Sequence, residues 1–465
     1  MRSFKCITLL STVLFLVQTA PAADDSLRPL YHFTAEKGWM NDPNGLVYDG
    51  TQYHMFFQHY ASGLHSVGDE LTWGHATSAD LLHWMQLPEA VFPIKLPDGK
   101  SAGAWSGTAV IDHNNTSGFG TVDNPPMVLF WTATHLGQCI QYSTDHGKTF
   151  TRYAENPIIP KPPEQRKDWD RDPDVFWYEP GKHWVLIYSI SGQGYVVNTS
   201  TDLKHWSRHD IIKAFYECPN CFELPVDGDQ SNRKWVLWDA SSKYQIGAFD
   251  GEKFTWEAGP FKLDHGKNYY AAQTWSDSPD GRRIGIGWMN GGKFPGQVFN
   301  QQQGIPSEIS LKTIPGAGIR LVKYPIKEVA SLRFDEKSFK DLALKPGSEN
   351  PLANVHAEAL DIETTVERPA GAVFTMEAAG QKITLTDDTI NVGAASAKIS
   401  ALNKVDLRIL IDRASLEVYL DGGRVSFTNS ITPNGKPVDL SISASAGEVK
   451  VSSLTVWQLH PTIGS

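Results

Sequence analysis

The sequence predicts an all-β chain: a propeller built from repeated strand-and-turn units, followed by a β-sandwich. Three observations carry this prediction. A unit of strand, Asp turn and aromatic residue recurs through the first two thirds of the 465 residues. Long amphipathic helical patterns are scarce. The composition changes near residue 335, beyond which Trp457 is the only tryptophan. A chain of this length exceeds one ordinary core, so at least two domains are expected.

The N-terminus reads as an export signal. Arg2 and Lys5 precede an apolar run from Ile7 to Val17, and Ala20-Pro21-Ala22 suits a signal cleavage site. The expected organisation begins with a signal peptide over 1–22, and the run is too short for a membrane span. Losing Arg2 and Lys5 leaves 40 basic against 52 acidic residues, which argues against nucleic acid or an anionic membrane as partner. Cys6 leaves with the signal. The remaining Cys139, Cys218 and Cys221 are too few for a disulfide scaffold. Sequons stand at Asn114, Asn115 and Asn198.

The repeat follows. Ala76 to Trp84, Gln141 to Phe150 and Asn198 to Trp206 are three copies, and Gly247 to Trp256 is a weaker fourth. Their aspartates, Asp80, Asp145, Asp202 and Asp250, lie 65, 57 and 48 positions apart. Strand-like runs fill the intervals at Met127 to Thr132, Trp184 to Ile190, Lys234 to Asp239 and Arg283 to Met289. Lys323 to Val329 reads as a connector, and 326–335 as a linker. In the last part, 336–465, Val405, Leu407, Ile409 and Ile411 alternate with Asp406, Arg408, Leu410 and Asp412, as in a half-buried sandwich strand.

Four segments of the Trp-rich part carry possible chemistry. Trp39-Met40-Asn41-Asp42-Pro43-Asn44-Gly45 has turn residues beside a Trp and a Met, as in a turn facing an aromatic pocket. Trp169-Asp170-Arg171-Asp172-Pro173-Asp174 sets three acids around one Arg. Asp42 and Asp172 both precede a proline, which predicts extended backbone and a similar presentation for both side chains. Glu217-Cys218-Pro219 and Trp105-Ser106-Gly107-Thr108 complete the set. Cleavage of a glycosidic bond needs one ionised and one protonated carboxyl. Asp42, in a turn of Asn residues, suits the ionised role. Glu217, between Phe215, Tyr216, Pro219 and Phe222, suits the protonated one. A zinc or redox reading of Cys218-Pro219-Asn220-Cys221 lacks a second cysteine pair or a βαβ setting to complete it.

Together these segments resemble glycoside hydrolase family 32, the invertases, inulinases and levanases. The resemblance extends over nearly all of the chain after the signal. It is carried by Tyr31-His32-Phe33-Thr34 running into Asn41-Asp42-Pro43-Asn44-Gly45, by Arg171-Asp172-Pro173, and by Glu217-Cys218-Pro219. Trp73-Gly74-His75-Ala76, Trp105-Ser106-Gly107 and Asp412 to Val418 also match. It implies a five-bladed β-propeller over 23–325, followed by the sandwich. It further implies release of terminal β-fructofuranosyl units, with retention, from levan, inulin or sucrose, without cofactor or metal. Asp42 would be the nucleophile, Glu217 the acid/base and Asp172 the transition-state stabiliser, with Asp42 and Glu217 about 5–5.5 Å apart. Trp39, Asn41, Gln58, Trp73, Ser106, Arg171 and Trp288 would line the sugar pocket. Trp39 favours transfer to water. His59-Tyr60-Ala61 and the loop Ser62 to Leu71 depart from the family pattern, so that loop is expected to shape the rim. The other readings are a narrow invertase, an endo-levanase, an inverting arabinose-chain propeller enzyme and a non-catalytic fructan-binding protein. The intact motifs argue against the last two.

Overall fold

The computed structural model describes residues 25–161, 170–213, 215–399 and 403–462. The expected signal segment and Trp169 lie outside them.

Three of the four repeat aspartates close the same turn between the last two strands of a four-stranded antiparallel sheet, while Asp145 instead accepts the Thr149 N–H, four residues on, at 3.0 Å. Asp80 Oδ1 accepts the backbone N–H groups of Leu82 and His83 at 3.0 and 2.8 Å. Asp202 does the same for Lys204 and His205 at 3.0 and 2.9 Å, and Asp250 for Glu252 and Lys253 at 3.0 and 2.8 Å. The indoles of Trp84 and Trp206 then donate to the carbonyls of Leu81 and Leu203, tucking each aromatic under its turn.

These sheets are propeller blades. Blade I comprises Gly38–Tyr48, Tyr53–Tyr60, Thr72–Ser78 and Met85–Val91. Blade II comprises Ala104–Ile111, Met127–Ala133, Gly137–Ser143 and Thr151–Arg152. Blade III runs through Arg171–Tyr178, His183–Ile190, Gly194–Ser200 and Ser207–Ile212. Blade IV runs through Asn220–Val226, Asp229–Trp238, Lys243–Phe249 and Phe254–Lys262. Blade V is Tyr270–Thr274, Ile284–Trp288, Ser307–Ile314 and Gly318–Pro325. Its last hairpin turns on Pro315-Gly316-Ala317 instead of an aspartate, so the sequence repeat shows four copies for five blades. The ring is stitched shut by Phe299–Asn300, which adds to blade I in parallel, Gly38 facing Phe299 and Trp39 facing Asn300. Lys323 to Pro325, expected in a connector, instead complete blade V.

The sandwich packs two six-stranded sheets over one aliphatic core. Its first strand, Arg333–Leu344, starts inside the stretch read as linker and pairs with Val449–Leu459. The expected alternation holds only at the start of Lys404–Asp412. From Leu407 on, both faces of that strand are buried, because the propeller covers the second one. Leu410 and Tyr419 join a core cluster with Tyr31, Phe33, Trp275, Ile326 and Leu332.

Charge is sealed into this junction. Asp412 accepts the N–H groups of Leu30 and Tyr31 at 2.8 and 3.0 Å and faces His32 Nδ1 at 2.9 Å, while Glu417 faces His32 Nε2 at 3.3 Å. Buried Lys323 bridges Asp264 at 2.6 Å and sandwich residue Thr428 at 2.9 Å. Burial alone would lower the His32 pKa, but the hydrogen bonds and charges of Asp412 and Glu417 outweigh it and lift it to about 9. A base whose folded pKa lies above its ordinary value stabilises the fold most below pH 6.5 and loses that contribution as pH rises through 9. His32→Gln is therefore expected to cost up to about 3 kcal/mol at pH 6. Paired melting curves should show the gap to the parent protein closing by pH 9.5.

Candidate active site

The five inner strands run side by side around the axis, and their starts supply the site. Blade I delivers Asn41 and Asp42, blade II Ser106, and blade III Arg171 and Asp172. Glu217 and Cys218 come just before the inner strand of blade IV, and Tyr270 is the first residue of blade V. Close packing here requires Gly107, since a Cβ would lie 1.9 Å from the Phe130 carbonyl oxygen. A cavity of about 400 Å³ opens above these strand starts. Its wall includes Asp42, Asp172, Glu217, Arg171, Trp105 and Trp288.

Asp42 sits in a web of donors. Ser106 Oγ donates to Oδ2 at 2.6 Å and Asn41 Nδ2 to Oδ1 at 3.1 Å. Behind them, Gln58 Nε2 donates to Ser106 Oγ at 2.9 Å and Trp39 Nε1 to Asn41 Oδ1 at 2.8 Å. The Cys218 thiol lies between two acids, 3.8 Å from Asp42 Oδ2 and 3.5 Å from Asp172 Oδ2. Asp172 Oδ2 also takes the Cys218 N–H at 3.1 Å and lies 3.4 Å from Arg171 Nε. Arg171 binds Glu217 Oε2 through Nε at 3.1 Å and again through Nη2, which also reaches the Tyr216 hydroxyl at 3.1 Å. The Tyr270 hydroxyl donates to Glu217 Oε1. The Glu217 carbonyl is tied down by Tyr195 Oη at 2.8 Å and Ala240 N at 3.1 Å.

Two sequence expectations change. Asp172 does not share an extended backbone with Asp42: its φ is +63°, in the left-handed region. A bulge between Arg171 and Asp174 forces the turn, and the Asp172 N–H is held by Thr132 Oγ1 at 3.1 Å. The apolar surroundings expected for the Glu217 carboxyl are also absent. Phe222 turns into the core of blade IV and Tyr216 is 58% exposed, so the groups actually on the carboxyl are Arg171 and Tyr270.

Burial pushes Asp42 upward from the usual carboxylate range and the Glu217 charge adds to this, against the hydrogen bonds from Ser106, Asn41 and Cys218. Burial lifts Asp172 to about 7, although Arg171 pulls the other way, because Glu217 and Asp42 add like charge. Burial likewise pushes the Cys218 thiol well above its ordinary range, so this cysteine stays protonated.

The structure gathers Asn41, Asp42, Gln58, Ser106, Arg171, Asp172, Glu217 and Trp288 around the cavity. Trp73 is not part of its lining: the ring is fully buried and its N–H holds the Trp105 carbonyl at 3.0 Å. Trp39 also stands back, packed edge-on against Trp288 at 6.0 Å. Ser66, Gly68 and Leu71 of the atypical loop reach the cavity. Sequence reading missed Tyr270, and Tyr216 as a polar partner, since neither lies in a distinctive motif. Cys139, Cys218 and Cys221 are free and buried. Among the described residues no cluster of His, Cys, Asp and Glu has a metal-holding arrangement, and no helix is long and apolar enough to cross a membrane.

A five-bladed propeller with carboxylates around one axial cavity defines a β-propeller glycosidase. The chain belongs to glycosyl hydrolase family 32. The model of that family's N-terminal domain matches residues 32–325, and that of its C-terminal domain matches 365–458. A levanase of Bacillus subtilis (strain 168) is 36% identical over 515 residues, covering 98% of this chain and 74% of the levanase. An extracellular exo-inulinase of Aspergillus awamori is 30% identical over 519 residues, covering 94% and 96%. The crystal structure of exo-inulinase from Aspergillus awamori superposes with a TM-score of 0.82 at 28% identity, covering 95% of this chain and 99% of that one.

An acid raised to about 7 favours the fold when protonated, so its contribution is present below about pH 4 and lost as pH rises through 7. Asp172→Asn cannot ionise. It should melt near the parent temperature at pH 4 and roughly 5 °C above it at pH 8, by scanning calorimetry.

Proposed function

We propose that this protein is a retaining, exo-acting fructosidase that releases terminal β-D-fructofuranosyl units from levan, inulin and sucrose. Asp42 is the nucleophile, Glu217 the acid/base and Asp172 the stabiliser. One observation carries the reading: Asp42 and Glu217 line a single cavity, with their carboxyls held by different sets of donors. Asp42 is steadied by Ser106 and Asn41, while Glu217 is held by Arg171 and Tyr270. This arrangement suits two unlike roles.

The reaction divides into two displacements. Asp42 attacks the anomeric carbon while Glu217 protonates the departing oxygen. Water, deprotonated by Glu217, then displaces Asp42. Asp172 accepts hydrogen bonds from the fructose hydroxyls, which strengthen as the ring gains oxocarbenium character. Arg171 orients Asp172 and Glu217. Trp288, Asn41, Gln58 and Ser106 shape the fructose pocket, with Trp39 and Trp73 bracing it from behind. The relatives named levanase and exo-inulinase support a fructan as substrate.

We assign 1–22 as an export signal, 23–325 as the catalytic propeller and 326–332 as linker, with the sandwich beginning at Arg333. Release outside the cytoplasm accords with the relative described as extracellular.

Asp42→Ala is expected to lower kcat on sucrose and on levan by roughly 10⁴ or more, with melting temperature retained. NMR of early product should show β-fructofuranose first, and an inverted first product would sink the reading. Activity should fall on the acid side as Asp42 gains its proton. Burial raises Asp42, so this limb should lie above about pH 4, measured as kcat/KM against pH.

A further inference from the structure

We propose that Tyr270 is a positioning residue whose hydroxyl reverses its hydrogen bond as Glu217 changes between acid and base, and that Oε1 is the oxygen of Glu217 that carries the catalytic proton. The inference rests on the acid/base role of Glu217 given above. It follows from which groups touch each oxygen. Oε2 faces Arg171, through both Nε and Nη2. A guanidinium has donors only, so a proton on Oε2 would point at other protons. Oε1 faces the Tyr270 hydroxyl, which is both donor and acceptor. Only there can the carboxyl be protonated without an opposed pair of donors.

In the resting acid, the proton on Oε1 is donated to Tyr270 Oη. When substrate binds, that proton turns to the glycosidic oxygen. The bond between the anomeric carbon and that oxygen breaks, its electron pair stays with the oxygen, and the Oε1 proton caps it, while Asp42 forms the new bond to carbon. Tyr270 then donates its own proton's hydrogen bond to the vacated Oε1, stabilising charge that appears only as the proton leaves. In the second step the water oxygen bonds to the anomeric carbon as its proton passes to Oε1, the carbon–Asp42 bond breaks with its electron pair returning to the Asp42 carboxylate, and Tyr270 turns back. The phenol never ionises: burial and the Glu217 charge hold it far above its ordinary range.

The phenol is placed to do this. Tyr270 begins the inner strand of blade V, the next residue Ala271 binds the Ala240 carbonyl at 2.8 Å, and Ala240 in turn binds the Glu217 carbonyl at 3.1 Å. Trp288 flanks its ring edge-on at 6.2 Å. The other charged or titratable groups around the pair are Arg171, Asp42, Asp172, Cys218, Tyr195 and Tyr216.

The test compares the full-length parent with Tyr270→Phe, Glu217→Gln and the double variant. Tyr270→Phe should fold with an unchanged melting temperature and lose about 10- to 100-fold in kcat on sucrose. The alkaline limb of its kcat/KM profile should move up by about one pH unit, because the charged form has lost a donor. Cleavage of p-nitrophenyl fructoside, whose leaving group needs little protonation, should suffer less. In the Glu217→Gln background, Tyr270→Phe should cost under about twofold, since the two act as one unit. A Tyr270→Phe enzyme with only a raised KM, an unmoved alkaline limb and an additive loss in the double variant overturns the inference. If Glu217→Gln itself keeps parental kcat on sucrose, the acid/base reading fails instead.

Discussion

Three carboxylic acids converge on one small cavity, and a guanidinium lies among them. Arg171 touches Asp172 at 3.4 Å and binds Glu217, while Asp42 is left to neutral donors. Like charges buried together repel, and the low local dielectric magnifies the repulsion. At Asp172 burial is the larger cause, and the charges of Glu217 and Asp42 add to it against the pull of Arg171, lifting the acid to about 7. Each acid therefore meets a different balance of burial, cation and hydrogen bonds, so one functional group stands in three different environments.

Holding such a cluster needs a scaffold that does not relax. Asp172, Glu217 and Cys218 all occupy the left-handed backbone region, at φ of 63°, 39° and 45°. Each such residue costs on the order of 1–3 kcal/mol. The surrounding strands offset this through the ties on the Glu217 carbonyl and on the Asp172 N–H. The propeller suits the task because every blade brings one strand start to the same axial point, and strands on a rigid ring position side chains more tightly than loops do.

The sandwich contributes at a distance. It covers blades I and V through a shared apolar cluster and through the sealed set of His32, Asp412 and Glu417. His32 lies nine residues before Asn41, on the segment that leads into the first inner strand. The same late region of blade V that abuts the sandwich also supplies Gln303, which binds the Asn41 carbonyl at 2.7 Å. The junction thus anchors the chain on both sides of Asp42.

The repeat aspartates were legible in sequence because a side chain that caps its own turn leaves a local signature. Asp80, Asp202 and Asp250 each bond backbone two and three residues on. Asp42, Asp172 and Glu217 were legible because their motifs are short and contiguous. Trp73 shows the limit of motif reading: a residue at a matching position proved to be support behind the wall. What sequence alone determined was therefore the set of locally encoded parts: an all-β chain, a recurring turn, a change of domain and three candidate acids. Tertiary structure decided the rest. It set the backbone of Asp172, the Arg171 and Tyr270 contacts on Glu217, and the burial of both faces of the Lys404–Asp412 strand. These depend on residues 40 or more positions apart meeting in the fold, and burial and charge are properties of that meeting, which no local pattern encodes.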